Sequence, residues 1–131
     1  MRTLIVEDDF TSRILLQSIL SRYGECHVAV NGTEAIHAFR LATQFGRPYD
    51  LICLDIMMPE MDGRAVLKQI RRLEEEGGTS WDDRVQIVMT TALDGVKDAM
   101  SAFYGLCDAY LTKPIDAATL CEHVKSMGFA A

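Results

Sequence analysis

Three acids follow the first apolar run of the chain, in "TLIVEDD" (Thr3 to Asp9), and a further carboxylate, Asp55, ends the apolar run "LICL" within "DLICLDIMMPEMDG". A run built to be buried does not end on an ionised carboxylate unless something pairs with it, because an unpaired buried charge is costly. Two other apolar runs end on groups suited to phosphate: "VQIVM" leads into Thr90 and Thr91, and "AYLT" into Lys113 and Pro114. If these run ends meet, Asp8, Asp9 and Asp55 crowd into one region. Like charges there must shift their pKa values, bind a cation, or both. Hard oxygen ligands with room for water suit Mg2+, which takes one or two carboxylates together with waters and phosphate oxygens. Lys113 adds a positive charge from the opposite side and Thr91 a hydroxyl, both able to hold a phosphoryl group.

Each group also has a plainer use. Asp8 or Asp9 can cap a helix that begins near Phe10, Thr90 and Thr91 are ordinary strand residues, and a lysine before proline is commonly solvated. Convergence argues for the chemical reading, since independent caps do not supply an acid pair, a further acid, a hydroxyl and a lysine at one edge. Glu7 extends the acid run, but as the last strand residue it can point elsewhere.

The elements that must position these groups follow from hydrophobic periodicity. Short apolar runs at 2–6, 26–30, 51–54, 85–89 and 109–111 read as five strands; the first, third and fourth are continuously apolar, as in parallel strands covered on both faces. Between them lie helical spacings: Phe10, Ile14, Leu15 and Ile19; Ile36, Phe39 and Thr43; Val66, Ile70 and Leu73; a weaker set around Val96, Met100 and Phe103; and Leu120 with Val124 after a cap at Asp116. A βα unit repeated five times predicts an α/β doubly wound sandwich of the flavodoxin-like kind, with ligands at the carboxyl ends of the strands.

The 131 residues fit one domain, 1–131, and a formal net charge of −6 without a Lys/Arg block disfavours direct binding to nucleic acid. No apolar run is long enough for membrane insertion or a signal peptide core, so a cytoplasmic protein is expected. The four cysteines stand singly and read as reduced core thiols. Two long connections, "ATQFGRPYD" and "EEEGGTSWDDR", fall at the amino edge of the sheet. Trp81 in the second reads as a loop tryptophan folded over the core, with a partner contact as the alternative.

"LIVEDD", "DLICLDIMMPEMDG", "VMTTAL" and "AYLTKP" resemble, in order and over essentially the whole chain, the motifs of the receiver domains of two-component response regulators. The resemblance implies a (βα)5 fold with strand order 2-1-3-4-5, in which Asp55 accepts a phosphoryl group from a sensor histidine kinase or a histidine phosphotransfer protein. By the same resemblance Asp9 binds Mg2+ (or Mn2+) directly and Asp8 partly through water. Asp55 and the backbone carbonyl of Met57 complete the metal set. Thr91 is the switch hydroxyl, Lys113 pairs with the phosphoryl group, and Tyr110 is the aromatic whose rotamer follows Thr91. The surface of the fourth helix, fifth strand and fifth helix then reports to a downstream protein, and the Lys113–Pro114 bond is cis.

Met57 and Leu93 border the path of hydrolytic water and are apolar, which predicts slow self-dephosphorylation and no enzymatic turnover. No output domain is expected after the fifth helix. That leaves signalling through a partner, or service as intermediate or phosphate sink in a multistep relay. A flavodoxin-type FMN protein would need a Ser/Thr/Gly-rich phosphate loop where "EDDFTS" stands, and a Mg2+-dependent phosphohydrolase commonly carries an acid where Met57 stands.

Overall fold

The computed structural model describes residues 1–58, 60–92 and 105–131. Five strands, β1 (Arg2–Val6), β2 (Glu25–Ala29), β3 (Leu51–Asp55), β4 (Gln86–Thr91) and β5 (Ala109–Thr112), form one sheet in the order β2-β1-β3-β4-β5. All four pairings are parallel. Helices α1 (Phe10–Leu20), α2 (Gly32–Gln44) and α3 (Gly63–Glu76) and a C-terminal helix (Ala117–Ser126) connect or follow the strands, and a 3-10 turn spans Trp81–Asp83. The expected helix around Val96, Met100 and Phe103 lies outside the described residues, as does Leu93. Among the described residues no helix is long and apolar enough to cross a membrane.

Successive strand residues point to opposite faces of the sheet. Leu4 and Val6, Ile52 and Leu54, and Ile87 and Met89 pack with Ile36 and Phe39 of α2 and Val66, Leu67 and Ile70 of α3. Ile5, Leu51, Cys53 and Val88 pack with Leu16, Ile19 and Leu20 of α1 and Leu120 and Val124 of the C-terminal helix. The sheet is therefore covered on both sides, which is why its inner strands are continuously apolar. Each fully buried Leu, Ile or Val contributes roughly 1.5–3 kcal/mol.

Each of the four α-helices among the described residues starts on a side-chain cap: Asp9 accepts from Ser12 N, Asn31 from Glu34 N, Asp62 from Arg64 N and Asp116 from Thr119 N. Such a cap is worth about 1 kcal/mol. Helix α1 differs from its sequence reading. Its buried residues are Leu16, Ile19 and Leu20, whereas Phe10, Ile14 and Leu15 are exposed, Phe10 to 66%. The helix carries two apolar stripes, and the one with i, i+3, i+4 spacing at the carboxyl end meets the sheet. All four cysteines are free thiols, and burial pushes Cys53 up to about 12.

Candidate functional site

The carboxyl ends of β1, β3, β4 and β5 deliver the polar groups. The Glu7 amide donates to Ala29 O at 3.1 Å, so the β1–β2 ladder runs one residue beyond Val6, and the Glu7 side chain is fully buried. Asp55, the last residue of β3, is 2% exposed. The next residue holds the turn from two directions: Ile56 N donates to Thr90 O at 2.9 Å, and Ile56 O accepts from Gly63 N at 2.9 Å. The turn folds back so tightly that a Cβ on Gly63 would collide with the carbonyl oxygen of Asp55. A side chain at 63 is therefore incompatible with this position of Asp55.

Thr91 is buried at the end of β4, and its carbonyl accepts from Lys113 N at 2.7 Å, which draws the residue after β5 toward β4. The Lys113–Pro114 peptide is cis. From there Lys113 Nζ donates to Glu7 Oε1 at 3.0 Å and lies 2.9 Å from Glu7 Oε2 and 3.4 Å from Asp55 Oδ2. Met57 N donates to Asp55 Oδ1 at 3.2 Å, while the Met57 side chain is 55% exposed at the rim.

Carboxylate oxygens of Glu7, Asp8 and Asp55 all lie within 4.8 Å of one another. Burial, and after it the Glu7 carboxylate, pushes Asp55 up to about 7 against the opposing pull of Lys113 and of the Met57 amide. Burial works against the Lys113 charge, but its hydrogen bond to Glu7 and the charges of Asp55 and Glu7 outweigh that and hold its pKa above the ordinary value. Three hard oxygen donors around one point, with Asp8 exposed to solvent, suit a small divalent cation that keeps some of its water. Mg2+ and Mn2+ both meet that description.

Of the residues expected from sequence, Asp8, Asp55 and Lys113 are brought together, with Thr91 at the same edge. Asp9 is placed as a helix cap. Its Oδ2 accepts from Ser12 N at 2.9 Å as the α1 cap, and that hydrogen bond is the main cause of its lowered pKa. Its own amide donates to Glu7 Oε1 at 3.1 Å. Tyr110 lies on β5 opposite Met89, partly buried against the core shared with α2 and α3.

Glu7 is the member of the carboxylate cluster that sequence reasoning undervalued. The available signal was Asp9 standing three residues before Ser12 at a helix start. A capping aspartate there leaves Glu7 and Asp8 as the pair at the strand end. Arg13 fixes this acidic turn from α1, its Nη1 donating to Glu7 O at 3.3 Å and Asp8 O at 3.1 Å.

The family model for the response regulator receiver domain matches residues 3–125. Among curated proteins, hybrid signal transduction histidine kinase L of Dictyostelium discoideum is 32% identical over 97% of this chain and 7% of its own length. The chain spans 7% to 47% of the length of the first curated relatives it matches. Among solved structures, the receiver domain of Ssk1 from Saccharomyces cerevisiae, crystallised with the histidine phosphotransfer protein Ypd1, has a TM-score of 0.81 at 29% identity, covering 98% of this chain and 88% of that one. Response regulator TrrA of Thermotoga maritima, in complex with Mg2+ and BeF, has a TM-score of 0.75 at 31% identity, covering 96% and 97%.

Proposed function

This chain belongs to the response regulator receiver domain family, and we propose that it acts as a phosphoacceptor switch in two-component signalling, with Asp55 as the acceptor. One observation carries the reading: a buried carboxylate at a strand end lies within 4.8 Å of two further carboxylates and 3.4 Å from a lysine ammonium. Burial and the neighbouring Glu7 raise Asp55 to about 7, a perturbation of the kind that clusters at functional sites.

An Asp55 carboxylate oxygen attacks the donor phosphorus in line. The new bond is the acyl phosphate O–P bond; the broken one joins phosphorus to the donor imidazole nitrogen or to the leaving oxygen of a small donor. Lys113 neutralises charge on the phosphoryl oxygens, and Thr91, buried at the same edge, supplies a hydroxyl to them. Asp8, Asp55 and the Met57 carbonyl would hold Mg2+, with Glu7 extending the set in place of Asp9. The cation supplies charge neutralisation at the transferring group. The exposed Met57 side chain offers water no orienting partner, which supports slow self-dephosphorylation.

The partners on this reading are a histidine kinase or a phosphotransfer protein of the kind Ypd1 is for Ssk1, and a downstream protein that reads the β5 region, where Tyr110 lies. Service in a multistep relay rests on the same site chemistry. The test is incubation with acetyl phosphate with and without Mg2+, read by intact mass. A Mg2+-dependent phosphoryl adduct that disappears in Asp55→Asn is expected. An adduct that survives the substitution, or none at all, sinks the proposal.

A further inference from the structure

At the sheet end away from the acidic cluster, in the connection from α3 to β4, Trp81 is 70% exposed. It does not fold over the core as its sequence context suggested. The Arg84 guanidinium stacks on the indole, 3.6 Å from the ring centroid, and is itself fixed. Its Nη1 donates to Gly105 O at 3.2 Å and its Nη2 to Asp108 Oδ1 at 3.3 Å. Asp108 is anchored in turn by Arg71 Nη2 at 3.2 Å and by Ile87 N at 2.8 Å, and Arg71 Nη1 donates to Glu74 Oε1 at 2.7 Å. The network ends on Glu74 Oε2, which accepts from Val85 N at 2.6 Å. A large aromatic is thus held out of the surface by a satisfied, partly buried scaffold. It loses little freedom on binding, which is the property of an interface anchor.

Beside the indole is a cavity of about 310 Å3 whose lining includes Glu75, Thr79, Trp81, Arg84, Gly105 and Leu106. The sign of the partner's charge follows from the exposed charged residues of the chain on either side of Trp81. Glu75, Glu76, Asp82 and Asp83 are exposed, against one exposed cation, Arg72, in the same stretch. The two arginines of the scaffold are turned inward onto Asp108 and Glu74. Acidic residues on either side of an aromatic anchor attract cations and repel anions, and a cationic side chain can also lie on the open indole face.

We propose that the Trp81 face is a docking site for a Lys/Arg-rich segment of another protein, separate from the phosphorylation site. Trp81 packs against an apolar or arginine side chain of that segment, and Glu75, Glu76, Asp82 and Asp83 pair with its charges.

Trp81 is the one tryptophan of the chain, so its emission reports occupancy directly. A phage-displayed random peptide library is selected on the intact protein and counter-selected on Trp81→Ala, whose exposed position makes it tolerable to the fold. Peptides retained by the wild type are expected to carry Lys/Arg clusters around an apolar residue and to shift Trp81 emission saturably. In Glu75→Lys/Asp82→Lys, checked for an unchanged melting curve, they should bind about tenfold more weakly or worse. Enrichment of nothing specific to the wild type, enrichment of neutral or acidic peptides, or equal binding by the charge-reversed variant overturns the proposal.

Discussion

Lys113 Nζ lies 2.9 Å from Glu7 Oε2, so that the lysine after β5 and the acid after β1, at opposite sides of the central strands, are joined across the carboxyl edge of the sheet. The ammonium occupies the electrostatic place that a divalent cation would share. Lysine and metal ion therefore compete for the same carboxylates. Lys113→Ala is expected to bind Mg2+ about three- to tenfold more tightly, because a nearby positive charge has been removed. The same variant should be labelled by acetyl phosphate more slowly, since the phosphoryl oxygens lose their cationic partner. Isothermal titration and intact mass measure the two effects. Weaker Mg2+ binding in Lys113→Ala would contradict the competition.

The division of labour among the three consecutive acids is testable in the same assay. Asp9 is spent on Ser12 N, so Asp9→Ala should cost about 1 kcal/mol in urea unfolding and leave Mg2+ affinity within about threefold. Asp8→Asn removes a carboxylate oxygen from the cluster and should abolish measurable Mg2+ binding at millimolar concentration or weaken it at least tenfold. If Asp9→Ala is the variant that loses the metal, the one-residue shift toward Glu7 is wrong.

The place of Glu7 beside Asp8 and Asp55 marks the limit of what could be read from sequence. The strands were legible because buried parallel strands are continuously apolar, and Asp55 and Lys113 because a charge ending such a run stands out. Which two of Glu7, Asp8 and Asp9 face the site was not legible. It depends on the ladder running on to Glu7 and on helix geometry claiming Asp9 as a cap. The face of α1 was ambiguous for a related reason: Phe10, Ile14 and Leu15 make one apolar stripe and Leu16, Ile19 and Leu20 another, and tertiary packing decides between them. Trp81 is out in solvent because Arg84, tied to Asp108, covers the ring face that the core would otherwise cover.

Without metal, Asp55 makes stability depend on pH. Its pKa is raised from the ordinary 3.8 to about 7, so the folded state holds a proton that the unfolded state has already released. The resulting destabilisation is absent below about pH 4, grows as pH rises, and is complete above about pH 7. Asp55→Asn should therefore be more stable than the wild type at pH 8, by roughly 1 kcal/mol or more, and the gain should vanish near pH 4. Saturating Mg2+ should erase the difference at pH 8, because the cation supplies what the buried carboxylate lacks. Chemical unfolding at the two pH values, with and without Mg2+, checks each arm. A gain that is larger at pH 4 has the wrong sign for this mechanism.

Gly63 should be intolerant of any side chain. A Cβ there meets the carbonyl oxygen of Asp55 itself, so the Asp55 backbone must move to admit it. Gly63→Ala is expected to lose about 2 kcal/mol or more of stability and to lower the rate of labelling by acetyl phosphate. The control is Gly46→Ala. That position, unlike Gly63, has open space around it, and its φ of 72° makes the substitution a purely conformational loss far from Asp55, so labelling should persist. Equal labelling rates in Gly63→Ala and the wild type would mean that the turn does not set the position of Asp55.

On the proposed function, the exposed stripe on α1 is where a protein donor would dock to reach Asp55. Phe10 and Ile14 are one helical turn apart, Leu15 flanks them, and Phe10 follows directly on the Asp9 cap beside the acidic cluster. Arg13 lies 5.6 Å from the Phe10 ring centroid while bonding the Glu7 and Asp8 carbonyls, so the apolar stripe and the acidic turn are held as one surface. An apolar patch continuous with a reaction centre fits a partner that must present an imidazole to that centre. Ile14→Ala and Leu15→Ala should slow phosphotransfer from a phosphohistidine-bearing protein by about tenfold, mostly through KM. Labelling by acetyl phosphate, which touches no part of the helix, should be unchanged. Because neither side chain is in the core, melting temperatures should stay within a few degrees of the wild type. Slowing of both donors to the same extent would place the effect in the site chemistry, and the stripe would then have no part in docking.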